Sequence, residues 1–232
     1  MPDRSLRSAD RLPRSPRAVT AQEAALAYLR DRIAGGALRP DDRIGQEQIA
    51  FELGSSVIPV REALKILEAE GQVIYAPRRG YHVARLGLKD LVEAYRIRRL
   101  LEDEAVRVAV PRLTPDDLGR LDEAIADVEH AGAAGDVLAM AAANRRFHFT
   151  VFDAADMPRL INFIRMLWQS TDPYRSRYYA EPASRQLVDA EHRAVLAALQ
   201  TRDAEAVVAL LRAHRDHAVE GLTRVLEGEA PH

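Results

Sequence analysis

Residues 46–71 read QEQIAFELGSSVIPVREALKILEAEG, and this stretch decides the fold of the first third of the chain. Gln46 to Leu53 has the apolar spacing of a short helix, and Pro59 opens a second helix that runs to about Glu70. The tight turn Gly54-Ser55-Ser56 separates them. Two short helices joined by a glycine-containing turn predict a helix-turn-helix.

The flanking sequence extends this motif on both sides. Upstream, apolar residues recur at helical spacing from Ala21 until Gly35-Gly36 ends the run. Downstream, two short strand-like runs at 73–75 and 81–83 flank the segment APRRG at 76–80, which predicts a β-hairpin with a basic tip. Three helices followed by such a hairpin predict a winged helix-turn-helix.

From residue 90 onward the chain has almost entirely helical periodicity. We predict helices over 90–109, 115–131, 136–153, 158–170, 185–200 and 204–227. Thr114, Ser184 and Asp203 are the predicted caps of three of them, and the segment 171–183, with three Tyr and two Pro, is assigned to no helix. The predicted fold class is therefore mainly α: a winged helix-turn-helix followed by an all-α antiparallel bundle of six or seven helices.

The composition excludes several classes of protein. Of 232 residues 47% are hydrophobic and 29% are charged, close to the globular average, and the absence of cysteine excludes disulfide frameworks and thiolate chemistry. The longest apolar run, Val137 to Ala143, has seven residues, whereas a membrane helix needs ~18. We expect a soluble, cytoplasmic protein with no membrane partner.

Charge divides the chain into unequal parts. Residues 1–86 carry 14 Lys and Arg against 11 Asp and Glu, and residues 87–232 carry 19 against 24. The basic excess comes from residues 1–20, whose five Arg, three Pro and three Ser predict a disordered arm that either contacts DNA phosphates or is a passive terminus. The predicted organisation is this arm, a winged helix-turn-helix domain over 21–84, a linker over 85–89, an all-helical domain over 90–227 and a tail over 228–232.

Two groups of motifs resemble a known family. The segment Tyr28 to Val83 resembles the GntR superfamily of bacterial transcription factors, through PVREAL at 59–64 and LEAEG at 67–71. The helical remainder resembles the FCD ligand-binding domain of the FadR subfamily, through RRLLE at 98–102, FH at 147–148 and EHR at 191–193. The resemblance implies a homodimeric DNA-binding regulator that responds to an effector.

In such a domain the second helix of the motif reads the major groove and the wing contacts the DNA backbone or minor groove. Arg61 and Lys65 are four residues apart and share one helical face, although Arg61 could instead pair with Glu62 or Glu68. The candidate DNA-binding residues are Arg61, Lys65, Arg78, Arg79 and Gly80.

The motif also departs from the family pattern. Val57 stands where the family usually has Arg, and Glu47 stands where a basic residue is common. Ile58 replaces the Thr that usually precedes the helix-opening proline, so the helix loses a cap worth ~1 kcal/mol unless Ser56 substitutes. A regulator with degraded DNA-binding capacity is therefore one alternative, and phosphate contacts from the arginines of the arm would compensate for the two missing positive residues.

Four residues fall on positions that the resemblance assigns to a metal: Asn144, His148, His192 and His214. Asn144 and His148 are i and i+4 on one helix, and His192 and His214 are each about 11 residues from the loop that joins their helices. Three imidazoles with one oxygen donor fit divalent Zn, Ni, Mn or Fe. The family more often has Asp at position 144. A neutral amide here removes one negative charge, so it weakens metal binding and makes the bound metal more electrophilic. Hydrogen-bonded core histidines are the alternative.

The resemblance further places Arg98 beside the metal as an anchor for a small organic-acid effector, and a guanidinium fork fits a carboxylate. An exposed salt bridge to Glu102 is the alternative for Arg98. The aromatic and basic residues Trp168, Tyr174, Arg175 and Tyr178 either line the effector site or belong to the core.

The sequence therefore predicts a cytoplasmic transcriptional regulator, a repressor by default, that is not an enzyme. Its predicted partners are a double-stranded operator with an inverted repeat, a second copy of the chain and an organic acid. The rival from another class is a metal-dependent enzyme, because three His around an open metal position also activate water or oxygen. Against it, no further Asp, Glu or His has a motif-supported place as general base.

Overall fold

The computed structural model describes residues 19–85 and 87–227. The predicted tail and all but the last two residues of the predicted arm lie outside these ranges. The described helices and strands are α1 (Ala21–Ala34), α2 (Gln46–Glu52), α3 (Val57–Ala69), β1 (Val73–Ala76), β2 (Gly80–Val83), α4 (Leu88–Ala109), the 3-10 turn Val110–Arg112, α5 (Pro115–Ala134), α6 (Val137–Asp153), α7 (Pro158–Ala180), α8 (Pro182–Gln200) and α9 (Ala204–Glu227). The predicted mainly α fold, a winged helix-turn-helix followed by an antiparallel helical bundle, is confirmed.

The first part of the chain is a small helical core closed by a two-stranded wing. A capping box between Thr20 and Glu23 starts α1, because each side chain satisfies the other's backbone N–H. β1 and β2 pair antiparallel, with Val73 opposite Val83 and Ala76 opposite Gly80. The buried core of this part is formed by apolar residues of α1, α2, α3 and the wing, among them Leu29, Ile33, Leu64, Leu67 and Val83.

The start of α3 differs from the sequence prediction. The helix begins at Val57, two residues before Pro59, and Ser56 occupies the cap position. The Ser56 side chain makes no capping hydrogen bond, so it does not replace the missing Thr cap. Val57 is half-buried and packs against the winged-helix core, whereas Ile58 is 71% exposed.

The second part of the chain contains six α-helices and the 3-10 turn. Thr114 and Asp203 accept backbone hydrogen bonds at the starts of α5 and α9, as predicted. Helix α4 begins at Leu88, so the last two positions of the predicted linker are helical. The main differences concern α7 and α8: α7 runs through Pro173 to Ala180, and α8 begins at Pro182, which leaves Ser184 buried inside that helix rather than capping it.

Burial explains why α7 continues beyond the predicted end at residue 170. Thr171, Tyr174, Arg175 and Tyr178 recur at three- and four-residue spacing, and all four are buried in the bundle. Packing of this stripe outweighs Pro173, since most helical stability in proteins comes from tertiary burial, whereas Pro182 does mark a break and opens α8. Of the segment left unassigned from the sequence, residues 171–180 form the C-terminal part of the 23-residue helix α7, and residues 182–183 begin α8.

Helix α7 also connects the two parts of the chain. It packs against α4, α6 and α9 within the bundle and against α1 of the winged helix. A cleft of about 680 Å³ lies beside this junction, lined by Arg30 and Ile33 from α1 and by Arg145 and Asp172 from the bundle. Within residues 19–85 and 87–227, no helix combines the length and apolar character that crossing a membrane requires.

Candidate functional site

The predicted DNA-reading face of α3 is exposed and basic. Arg61 and Lys65 both point to solvent. The Arg61 Nε lies 3.4 Å from the Gln46 side-chain oxygen, and Lys65 pairs with Glu62 at 2.9 Å. Among the hydrogen bonds and ion pairs of the described residues, Arg61 is joined to neither Glu62 nor Glu68. Its guanidinium therefore keeps free donors towards solvent.

The wing presents two further cations at its tip. Arg78 and Arg79 are exposed in the turn between β1 and β2. Arg78 has φ 66° and Gly80 has φ 86°, so the turn depends on backbone conformations that L side chains rarely adopt. Glu47, at the start of α2, is exposed, whereas Val57 turns partly into the core. Position 57 therefore presents neither charge nor a fully exposed side chain.

Three predicted metal ligands meet inside the bundle. His148 of α6, His192 of α8 and His214 of α9 each offer a ring nitrogen, and these nitrogens all lie within 4.8 Å of one another. Their ring centres are 5.1 to 5.3 Å apart. All three side chains are buried. His148, His192 and His214 together form the histidine cluster.

Five buried polar atoms at the histidine cluster and Asn144 lack partners among the described residues. His148 Nε2, both ring nitrogens of His192 and both amide atoms of Asn144 are buried without a hydrogen bond. Asn144 lies one helical turn before His148 and is fully buried. Buried polar atoms in native proteins are normally satisfied, so a group of orphaned ligand-type atoms fits a bound cation held by three nitrogens and one amide oxygen.

The electrostatics of the cluster favour the metal-binding protonation state. Burial, followed by the neighbouring imidazoles, holds the pKa of His148 well below its ordinary value of 6.5. Burial and His214 do the same to the pKa of His192. Neutral imidazoles keep a lone pair available for coordination, which protonated ones lack.

Glu191 is a site residue that the sequence interpretation missed. One carboxylate oxygen lies 2.6 Å from His214 Nδ1, and the other lies 2.5 Å from His217 Nδ1. Burial raises the pKa of Glu191, but the hydrogen bonds from the two histidines lower it on balance. A carboxylate only accepts, so His214 carries its proton on Nδ1 and directs the lone pair of Nε2 away from Glu191. The i, i+3 spacing of His214 and His217 was the available signal, because it puts both rings on one face of α9.

Arg98 lies beside the histidine cluster but is held by a carboxylate. Its Nε donates to Glu102 Oε1 at 2.7 Å, and both side chains are almost completely buried. The same oxygen accepts from Trp168 Nε1 at 2.7 Å, while Arg215 bridges Glu102 and Asp103 at 2.7 and 2.5 Å. The ion pair considered as the alternative for Arg98 is thus present, and it is buried rather than exposed. The effector role of Arg98 stays a prediction.

Trp168 joins the charged network to the histidine cluster. Its ring is 5.0 Å from the His148 ring, and the guanidinium carbons of Arg98 and Arg175 lie 4.3 and 4.1 Å from the indole. Tyr174 and Tyr178 belong instead to a separate apolar core with Leu91, Met140 and others. Of the four candidate lining residues, Trp168 and Arg175 therefore lie at the site.

Comparisons with known proteins agree with this architecture. Residues 21–83 match the family model described as "Bacterial regulatory proteins, gntR family", and residues 93–217 match the FCD domain. The HTH-type transcriptional regulator McbR of Escherichia coli (strain K12) is 34% identical over 179 residues, covering 76% of this chain and 81% of McbR. The gluconate operon transcriptional repressor of Bacillus subtilis (strain 168) is 32% identical over 157 residues, covering 64% of this chain and 59% of the repressor. The solved structure of E. coli McbR/YncC superposes with a TM-score of 0.82 at 31% identity, covering 89% of this chain and 98% of that one.

Proposed function

Since the chain belongs to the GntR family of bacterial transcriptional regulators and carries an FCD domain, we propose that it is a repressor whose operator binding is weakened by a small carboxylic acid bound beside a metal. In this proposal Arg61, Lys65, Arg78, Arg79 and Gly80 contact the operator. Asn144 and the histidine cluster hold the divalent metal. The enzyme alternative is set aside, because the relatives and the fold are those of regulators.

The observation that carries the metal proposal is the histidine cluster itself. Three buried imidazoles with converging nitrogens, beside an orphaned amide, form a donor set for Zn, Ni, Mn or Fe. A divalent cation with remaining open positions supplies a Lewis acid that attracts a carboxylate. The chain's own contribution is to hold His148 and His192 neutral by burial, to fix His214 through Glu191 and to place guanidinium groups next to the ligand.

Helix α7 supports a connection between effector and DNA. It carries Trp168 and Arg175 beside the histidine cluster, and elsewhere along its length it packs against α1 of the winged helix. A ligand that binds two arrangements of α7 with unequal affinity shifts the winged helix with it, with a coupling of typically about 1 to 3 kcal/mol.

The exposed face of α4 supports a homodimer. Val92 and Leu100 are two helical turns apart, and they are 46% and 70% exposed although both are large and apolar. In the proposed assembly a second copy covers this face, and the two winged helices read the two halves of an inverted repeat.

The test uses the full chain, purified without chelators and then reconstituted with zinc chloride. We expect one zinc per chain by elemental analysis, retained in the His130→Ala control on the exposed face of α5 and lost in His148→Ala and His214→Ala. Wild-type protein should select an inverted repeat from random DNA as a dimer. Small hydroxy or dicarboxylic acids should raise the melting temperature of the zinc-loaded protein only, and should weaken its DNA binding.

Three results would contradict the proposal. Absence of any bound divalent metal after purification without chelators and after reconstitution with zinc, nickel, manganese and iron in turn, or a thermal shift by acids that survives loss of both histidines, removes the metal mechanism. Failure to select any DNA sequence supports the alternative of a degraded DNA-binding domain.

A further inference from the structure

One of the three guanidinium groups buried around Trp168 has no hydrogen bond to a carboxylate among the described residues. Among the described residues, three guanidinium groups surround this ring and its hydrogen-bond partner, those of Arg98, Arg175 and Arg215, against the two carboxylates Glu102 and Asp103. Arg98 is bonded to Glu102, and Arg215 is bonded to both carboxylates. The remaining cation of this group is Arg175.

Arg175 has unused donors. Its side chain is 8% exposed, and its Nε and Nη2 are buried without a hydrogen-bond partner among the residues that the structure describes. The nearest carboxylate oxygen, Asp172 Oδ1, is 3.7 Å from Nε, and the other oxygen of Asp172 is 3.1 Å from Arg145. Arg175 does interact with the Tyr179 hydroxyl and lies over the Trp168 ring. The ion pair with Asp172 is shared with Arg145 and includes no hydrogen bond to Arg175, so the two buried donors of Arg175 stay unsatisfied.

Arg175 lies close to the histidine cluster. His148 and Arg175 contact the same indole: the ring centres of His148 and Trp168 are 5.0 Å apart, and the guanidinium carbon of Arg175 is 4.1 Å from the ring centre of Trp168. Nε and one Nη of a guanidinium form a fork that matches the two oxygens of a carboxylate. Nitrogen ligands for a metal, from the histidine cluster, and hydrogen-bond donors for an anion, from Arg175, therefore both lie beside the Trp168 ring.

We propose that Arg175 is the anchor for one carboxylate of a short dicarboxylic acid whose other carboxylate lies at the histidine cluster. This inference rests on the proposed function, and it names both the ligand class and the residue that recognises it. Arg98 is less suited to this role because Glu102 already occupies its Nε. A monocarboxylate would use the histidine cluster alone, so Arg175 distinguishes diacids from monoacids.

The experiment uses Trp168, which is the single tryptophan of the chain, as the reporter. Zinc-loaded full-length protein is titrated with malate and with acetate, followed by tryptophan fluorescence and repeated by isothermal titration calorimetry. Arg175→Gln should weaken malate binding at least thirtyfold, about 2 kcal/mol, and change acetate binding less than threefold. The exposed Arg159 lies on the same helix, and Arg159→Gln should match wild type for both acids.

Two conservative substitutions, Arg175→Lys and Arg98→Lys, provide a test in variants that are expected to fold. Arg175→Lys keeps the charge and removes the fork, so malate should bind at least fivefold more weakly while zinc stoichiometry stays at one. Arg98→Lys should have the smaller effect of the two. Equal malate affinity in wild type and Arg175→Lys, a larger loss in Arg98→Lys, or a wild-type protein that binds acetate as tightly as malate would each overturn the assignment. None of these three outcomes depends on the zinc stoichiometry or on operator binding. They can therefore overturn the role of Arg175 while the proposed function stands.

Discussion

Replacing Glu102 by Gln tests whether the buried charge network stabilises the bundle. Glu102 Oε1 accepts hydrogen bonds from Arg98 Nε and Trp168 Nε1, and Oε2 accepts one from Arg215 Nη1, all at 2.7 Å. A glutamine keeps the shape and one oxygen. Its amide nitrogen, however, must face at least one of these donors, and no negative charge remains between the two guanidinium groups.

The magnitude follows from these contacts. At least one charge-assisted hydrogen bond is lost, and two buried cations lose their shared anion, which together should cost about 3 to 5 kcal/mol of unfolding free energy. Burial alone would raise the pKa of Glu102, but Arg98 and Arg215 lower it on balance. The stabilisation from ionised Glu102 is therefore fully present above the ordinary pKa of 4.5, and it is lost as the pH falls through the lower folded-state value.

The assay is urea unfolding of the metal-free protein at pH 7.5, followed by Trp168 fluorescence, which reports on the bundle. Exposed Glu104, two residues along the same helix, gives the control Glu104→Gln, which should stay within about 0.5 kcal/mol of wild type. The difference between wild type and Glu102→Gln should persist down to pH 4.5 and shrink below it. A cost below about 1 kcal/mol at pH 7.5, less than the net value of a single charge-assisted hydrogen bond, would refute the reasoning.

Three further predictions concern single contacts. Glu191→Gln should lower zinc affinity about 10- to 100-fold, measured in competition with a chromophoric chelator, because His214 loses its charged partner. The control His217→Asn should change zinc affinity less than threefold. Equal zinc affinity of wild type and Glu191→Gln would show that Glu191 does not position His214. Arg61→Ala should lower affinity for the selected operator at least tenfold, about 1.4 kcal/mol, by fluorescence anisotropy, and unchanged binding would remove Arg61 from the interface. Thr114→Ala should cost about 1 kcal/mol in urea unfolding, because Asp117 N loses its capping oxygen; no loss would mean that water replaces the cap.

Local patterns predicted most of the fold and part of the site. The helix-turn-helix, the wing and five of the six bundle helices follow from apolar spacing, caps and turns. The end of α7 does not, because burial of Tyr174 and Tyr178 against other helices decides it. His192 and His214 meet as their spacing predicted, and His148 joins them as the family resemblance implied, although their metal remains a proposal. The ion pair of Glu102 with Arg215 joins residues 113 positions apart. No local sequence pattern could therefore show that Arg175 has no carboxylate hydrogen-bonded to it.

Asp172 forms ion pairs with two arginines, Arg175 of α7 itself and Arg145 of α6. One of its oxygens is 3.7 Å from Arg175 at the Trp168 ring, and the other is 3.1 Å from Arg145 in the cleft beneath α1. Burial lowers the pKa of Arg145 and Asp172 raises it, while Arg175, Arg165 and Arg30 lower it further, so the charges on the two sides of Asp172 influence one another. If a carboxylate binds Arg175 as proposed, Asp172 is left to pair with Arg145, which lines the same cleft as Arg30 of α1. The charge of the ligand would then reach the winged helix through Asp172 and Arg145, in addition to any movement of α7.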